Sequence, residues 1–254
     1  RLARGVTAKD MMLAMLGRYG MNGGEYQAVE YCGAAVEALS MAERMTLCNM
    51  SAELGAQVGL VAPDETTRSW LLEHDAGAVE TEPWHSDDNA AGVRHRFDAA
   101  TLAPQVALPH SPANVRSVAD LEATRIDVAY IGACTGAKLD DLRAAASVLA
   151  GHRVAAGVSL LVAPASVRDA EAAEREGVLR VLREAGATML PSACGACAGY
   201  GATIPEGSTV ISSTARNFKG RMGALTAQVY LGSPYTVAAS ALRGRIADAR
   251  EMLP

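Results

Sequence analysis

The sequence predicts an α/β protein in which helices cover a parallel sheet. Short apolar runs that end near glycine or proline alternate with helix-like segments of about ten residues, as in parallel α/β folds. Several of these helical segments begin with helix-capping residues. The chain has 254 residues, half of them apolar, enough for one large domain or two ordinary ones. We predict two α/β domains, 1–105 and 106–254, divided where prolines mark a loop.

The first domain is predicted to be mostly helical. Thr7 and Asp10 have the spacing of a helix cap and its reciprocal acid. Capping patterns and breakers place helices at 11–18, from 40–43 towards 57, and from 63–64 to about 73. On the second helix Asn49 and Glu53 would be four positions apart and share one face. Loops are predicted at 80–89 and around Pro104, Pro109 and Pro112.

The second domain alternates strands and helices. Strands are predicted at 126–131, 158–162, 187–190 and 208–213. Helices are predicted at 139–150, 166–175, 178–184 and 234–242. Cys134, Cys194 and Arg216 each follow a predicted strand within a few residues. Because ligands bind beyond the carboxyl ends of parallel strands, we expect these three residues to meet at that edge.

Composition excludes several classes of function. The net charge of −5 is spread along the chain, so no nucleic-acid partner is indicated. No apolar stretch approaches the roughly 18–20 residues that span a bilayer, and no targeting pattern opens the chain. Five scattered cysteines in a chain of this length favour a cytoplasmic protein with free or metal-bound thiols. The start at Arg1, without methionine, suggests a portion of a longer protein.

Three cysteines indicate a metal centre. Cys134, Cys194 and Cys197 lie in loops of small residues, and three thiolates leave a coordination position for a substrate. Small neighbours let a wide inorganic cluster approach the backbone. A structural zinc normally has a fourth protein ligand, and no histidine has a paired spacing, so a cluster is favoured. Cys32 and Cys48 are interpreted as small buried residues.

Two further pairs could serve such a centre. Arg216 and Arg221 lie in a glycine-containing loop and could grip carboxylates bidentately, although a solvated basic turn is the alternative. Asn49 and Glu53 are surrounded by small and apolar residues. A carboxylate there would be partly buried, with a raised pKa suited to proton transfer, unless the pair is only a polar helix face.

Together these stretches resemble the large subunit of the aconitase / 3-isopropylmalate dehydratase superfamily. The similarity follows the order of the family's motifs across nearly the whole chain. The matching stretches are residues 48–56, 61–67, 132–135, 194–197, 216–221 and 229–234.

The resemblance implies two domains of the aconitase type with a [4Fe-4S] cluster held by Cys134, Cys194 and Cys197. One iron would not be bound by the protein and would act as a Lewis acid while water is removed and re-added. Further roles are implied residue by residue: Asn49 against the cluster, Glu53 on the hydroxyl and water network, Arg216 and Arg221 on substrate carboxylates.

The implied function is a hydro-lyase component, a 3-isopropylmalate dehydratase of leucine biosynthesis. Alternatives are homoaconitate hydratase, a methylated-malate dehydratase or, from another class, a non-catalytic iron or redox sensor. A pure electron carrier generally has four cysteine ligands and fits less well. The family also has an amino-terminal domain with catalytic His and Asp, and a small subunit that supplies a serine base. We expect this chain to begin after that domain and not to include the small subunit, and therefore to be inactive alone.

Two departures from the family pattern are local. Gly136, Ala137 and Lys138 follow Thr135 where the family usually has Asn-Gly-Arg. Ala215 stands before Arg216 where the family commonly has asparagine, which removes an amide near the cluster or substrate.

Overall fold

A computed structural model describes residues 1–74, 80, 84–87, 89–201 and 204–253. Within this part, the strands form a two-stranded parallel sheet and a seven-stranded sheet that is mostly parallel. Helices pack against both sheets, so the predicted α/β class is confirmed. Among the described residues, no helix has the length and apolar character that crossing a bilayer requires.

The first part of the chain contains four helices and the small sheet. The helices are α1 (Ala8–Tyr19), α2 (Ala34–Glu37), α3 (Met41–Met50) and α4 (Glu65–Glu73), and the strands are β1 (Ala28–Glu30) and β2 (Val58–Leu60). The capping box of Thr7 and Asp10 is confirmed, as are the caps of Ser40 and Asp64. The small sheet was not predicted from the sequence, because its strands are only three residues long.

The predicted continuation of α3 towards Gln57 is wrong. The helix ends at Met50, and tight turns follow, in which Ser51 Oγ donates to Leu47 O at 3.0 Å and Gly55 adopts a left-handed conformation at φ 81°. Since Glu53 lies beyond the helix end, it does not share a helical face with Asn49: Glu53 is buried, whereas Asn49 is exposed.

The large sheet contains β3 (Gln105–Ala107), β4 (Val115–Ser117), β5 (Val128–Ile131), β6 (Ser159–Val162), β7 (Thr188–Met189), β8 (Thr209–Ser212) and β9 (Gln228–Leu231). Its strand order is β4-β3-β9-β8-β5-β6-β7. The strands predicted near β5, β6, β7 and β8 are confirmed. β3 and β4 pair antiparallel inside the proline-containing segment that we predicted to be a loop, and β9 was also missed.

Helices cover this sheet as predicted. They are α5 (Leu139–Leu149), α6 (Val167–Arg175), α7 (Val178–Glu184) and α8 (Pro234–Arg243). Alternate residues of β5 face two separate apolar clusters, with Ala129 and Ile131 in one and Val128 and Tyr130 in the other. The domain boundary near residue 105 stays a prediction. The predicted loop at 80–89 lies partly outside the described residues; those described within it are in neither helix nor strand.

Candidate metal centre

The loop that contains Cys134 begins directly after β5 and packs tightly against Tyr130 of that strand. Gly132 has no room for a side chain, because an added Cβ would lie 2.3 Å from the ring of Tyr130. Ser213, directly after β8, holds the loop: its Oγ accepts from Gly132 N at 2.9 Å and donates to Gly136 O at 3.0 Å. The exposed Cys134 is therefore fixed relative to the segment that leads to Arg216.

A buried lysine, Lys9, binds the main chain of the segment that leads to Arg216. Lys9 is 1% exposed, and its Nζ donates to Ser213 O and Thr214 O, both at 2.7 Å. Burial lowers the pKa of Lys9 to about 8, although the charges of Asp141 and Glu53 oppose this shift. The sequence analysis missed Lys9. One signal was available, since a lysine in the first turn of a helix opposes the helix dipole.

The other two cysteines share one short turn, Gly195–Ala198 with its flanking residue. Cys197 N donates to Cys194 O at 2.9 Å, so both thiols project from a single compact loop after β7. Cys194 is exposed and Cys197 is half-buried. Burial raises the pKa of the Cys197 thiol, the charge of Arg221 opposes the shift, and Cys194 and Cys134 add to it. The three cysteines therefore share one electrostatic environment.

Arg216 and Glu53 form an ion pair beside the cysteines. Arg216 Nε donates to Glu53 Oε1; the glutamate side chain is 2% exposed and the arginine 43%. The hydrogen bond and charge of Glu53 raise the pKa of Arg216, and Cys197 and Cys134 act in the same direction. Glu53 thus holds the guanidinium at the protein surface on the side of the cysteines.

Three buried polar atoms around the cysteines have no hydrogen-bond partner within the described part of the chain: Glu53 Oε2, Arg221 Nε and Tyr130 Oη. Tyr130 and Arg221 both interact electrostatically with Cys197, and Glu53 does so with Lys9 and Arg216. Buried groups normally have partners, and an unmet one costs about 1–3 kcal/mol. Their concentration here marks a place where a polar or charged ligand would supply those partners.

The predicted site residues divide into two sets. The structure brings the three cysteines, both arginines and Glu53 together at the carboxyl ends of the parallel strands. Asn49 is exposed and has no side-chain hydrogen bond among the described residues, so its role stays a prediction. The interpretation of Cys32 as buried is wrong, because it is exposed in the loop between β1 and α2, and Cys48 is half-buried.

The donor set fits a cluster better than a single ion. Within the described ranges, no group of three or more His, Cys, Asp or Glu side chains is placed to hold one metal ion. One zinc would need every donor about 2.0–2.3 Å from the same point. In an iron–sulfur cluster each thiolate binds a different iron, which suits three free cysteines divided between two loops. Nearby cations, Lys9 and Arg221, would offset the charge of such a group.

The buried Lys9 predicts a pH dependence of stability. Its pKa is about 8 when folded and 10.5 ordinarily, so its stabilising contribution is fully present above 10.5 and is lost as pH falls through 8. Between about pH 7 and 10, we expect the free energy of unfolding of the native chain to rise by about 2–3 kcal/mol more than that of Lys9→Met, which has no amine to titrate. Denaturant titrations of both proteins give this difference. Parallel pH profiles would contradict the assignment.

The chain matches one known protein family over nearly its whole length. The model of the aconitase family (aconitate hydratase) matches residues 1–244, and the chain belongs to this family. The resemblance found in the sequence motifs is thereby confirmed. The matched region contains both the small sheet and all strands of the large one.

The individual relatives are large subunits of two kinds. The probable methanogen homoaconitase large subunit of Methanosarcina mazei is 43% identical over 253 residues, which are 99% of this chain and 63% of that protein. The 3-isopropylmalate dehydratase large subunit 1 of Methanopyrus kandleri is 42% identical, over 99% of this chain and 60% of its own length. The 3-isopropylmalate dehydratase large subunit 2 of Archaeoglobus fulgidus is 40% identical, over 99% of this chain and 61% of that protein. The chain thus spans about three-fifths of these relatives.

Proposed function

We propose that this chain is the cluster-binding part of a hydro-lyase large subunit that dehydrates and rehydrates a hydroxy di- or tricarboxylate. The substrate we propose is 3-isopropylmalate, in leucine biosynthesis, because relatives at 40–42% identity bear that enzyme's name. Homoaconitate is the second candidate, because the relative at 43% is named for it. A small-subunit partner and a cytoplasmic location, which would keep the thiols reduced, belong to the same proposal.

Cys134, Cys194 and Cys197 would hold the [4Fe-4S] cluster. When bound, the cluster supplies an electrophilic iron that polarises the substrate hydroxyl. The chain contributes the surroundings. Burial and the neighbouring thiols raise the pKa of Cys197, whereas the cations Arg221 and Lys9 oppose this shift and would offset the negative charge of thiolate ligands.

Arg216 and Arg221 would bind the carboxylates of the substrate. Arg216 is oriented by its bond to Glu53, and a preset guanidinium loses less freedom on binding than a mobile one. Arg221 Nε is buried without a partner among the described residues and would gain one from a carboxylate. Two fixed anchors would align the carbon–oxygen bond that breaks.

Glu53 would exchange the proton of the hydroxyl or water. One of its oxygens is committed to Arg216, while Oε2 is buried and without a partner in the described residues. A carboxylate with one anchored oxygen and one available oxygen can accept a hydrogen bond at a defined position. Its second role, holding Arg216, would couple proton transfer to substrate orientation.

The observation that carries the proposal is the grouping of Cys197 with Cys134, Cys194, Arg221 and Lys9. The test is anaerobic reconstitution of the full chain with iron and sulfide, followed by EPR with and without 3-isopropylmalate, homocitrate or a methylated malate. We expect one hydroxy acid to change the spectrum, while isopropylsuccinate, which lacks the hydroxyl, does not. A cluster that responds to none of these acids would favour the iron or redox sensor.

A further inference from the structure

The hydroxyl of Tyr130 is buried beside the cysteine loops and has no part in the reaction proposed above. Tyr130 lies in β5 and is 0% exposed. Its ring lies under Gly132, where an added Cβ would be 2.3 Å from ring atom Cε1 and 2.5 Å from Oη. The ring belongs to the apolar cluster that includes Ala196 and Met222, and Cys197 packs against that cluster. The phenol therefore packs against the turn that contains Cys194 and Cys197.

This hydroxyl needs an acceptor. Tyr130 Oη has no hydrogen-bond partner within the described residues, although the hydroxyl of a buried tyrosine normally donates a hydrogen bond. The main-chain group that acts on the pKa of Tyr130 is the N–H of Cys197, which is itself a donor and is already bonded to Cys194 O at 2.9 Å. Burial raises the pKa of Tyr130 to about 12, and the charges of Cys197 and Cys194 add to this shift, so the phenol keeps its proton at neutral pH.

We propose that Tyr130 Oη donates a hydrogen bond to the sulfur of Cys197 when that cysteine is a cluster ligand, and so raises the reduction potential of the cluster. The inference rests on the cluster of the proposed function. Reduction adds negative charge to a cluster, and hydrogen bonds to its sulfur atoms favour the more negative state. Tyr130 is then a positioning and tuning residue, comparable to the outer partners that adjust metal ligands elsewhere.

The test compares the full chain with Tyr130→Phe, which removes only the hydroxyl. Both proteins are reconstituted anaerobically and titrated electrochemically, with EPR detection. We expect the one-electron potential of the variant to fall by an amount equivalent to about tenfold in the equilibrium constant, ~59 mV. Resonance Raman spectra should show a changed iron–cysteine stretching frequency. In deuterated solvent, this band should shift less in the variant than in the native chain.

Tyr230→Phe is the matched control. Tyr230 lies in β9 of the same sheet and packs against the apolar cluster on the other face, so its loss should leave potential and spectrum unchanged. The cluster-free Tyr130→Phe protein should melt at the native temperature or above it, because the hydroxyl has no partner there. A lower melting temperature with an unchanged potential would show a structural role and overturn the inference.

The outcomes separate this inference from the proposed function. If the native chain takes up no cluster, both fail. If native chain and variant bind equal clusters with equal potentials and spectra, the Tyr130 inference fails and the proposed function stands. If the potential falls in Tyr130→Phe and not in Tyr230→Phe, the inference is supported.

Discussion

Cys197→Ser is expected to lose more than about nine-tenths of the iron and sulfide that the native chain binds after anaerobic reconstitution. A serine hydroxyl is a far poorer ligand for iron than a thiolate, and even the removal of an outer partner costs roughly 10–100-fold in metal affinity. The charges of the other two cysteines, Arg221 and Lys9 all act on the pKa of Cys197, so this residue lies within the proposed cluster site. Iron and sulfide analysis, together with the visible absorption of the cluster, measures the loss.

Cys32→Ser is the control for that experiment. Cys32 is exposed, as Cys134 and Cys194 are, but it follows β1 in the small sheet, whereas the three proposed ligands follow strands of the large sheet. Its substitution should leave iron content unchanged. Native stoichiometry in Cys197→Ser, or equal losses in both variants, would contradict the assignment of the ligands.

The second large effect is expected for Arg216→Lys. Lysine keeps the charge but lacks the planar fork, so it can neither donate through Nε to Glu53 nor grip a carboxylate bidentately. We expect kcat/KM to fall by about 10²–10³, the range seen when one preorganised donor is removed from an active site. The assay requires the full-length large subunit, together with the small subunit that the proposal includes. Iron content should stay native.

Arg143→Lys is the matched control for Arg216. Arg143 also pairs with a glutamate, Glu176, here through two bonds of 2.8 and 2.6 Å, but this pair is exposed and joins α5 to the end of α6. Its substitution should leave kcat/KM unchanged. If both variants lose activity equally, or if Arg216→Lys stays fully active, Arg216 does not bind the substrate.

The sequence predicted those parts of the fold that depend on local chemistry. The cap of Thr7 and Asp10 defines the start of α1 within a few residues, and the apolar run before Gly132 defines β5. The strands β1, β2, β3 and β4 were missed because runs of three residues carry no readable period. The end of α3 was missed because Ser51 and Gly55 form turns that the propensities of their neighbours do not indicate.

The same distinction applies to the site. The convergence of Cys134, Cys194 and Arg216 followed from a rule of topology, since the carboxyl ends of parallel strands share one edge of a sheet. Lys9 could not be placed, because its acceptors are main-chain oxygens of Ser213 and Thr214, 204 and 205 positions away. Tyr130 was placed correctly in a strand, but only the folded structure shows that it lies near Cys197 and Cys194 and that its hydroxyl has no partner in the described chain.

Mössbauer spectroscopy of the full chain, reconstituted anaerobically with ⁵⁷Fe, tests the central claim most directly. If three cysteine thiolates are the protein's whole contribution to the cluster, one iron environment should differ from the rest, and it alone should change when the preferred hydroxy acid is added. Equivalent iron environments that ignore every hydroxy acid, or an absence of bound cluster, would contradict the account.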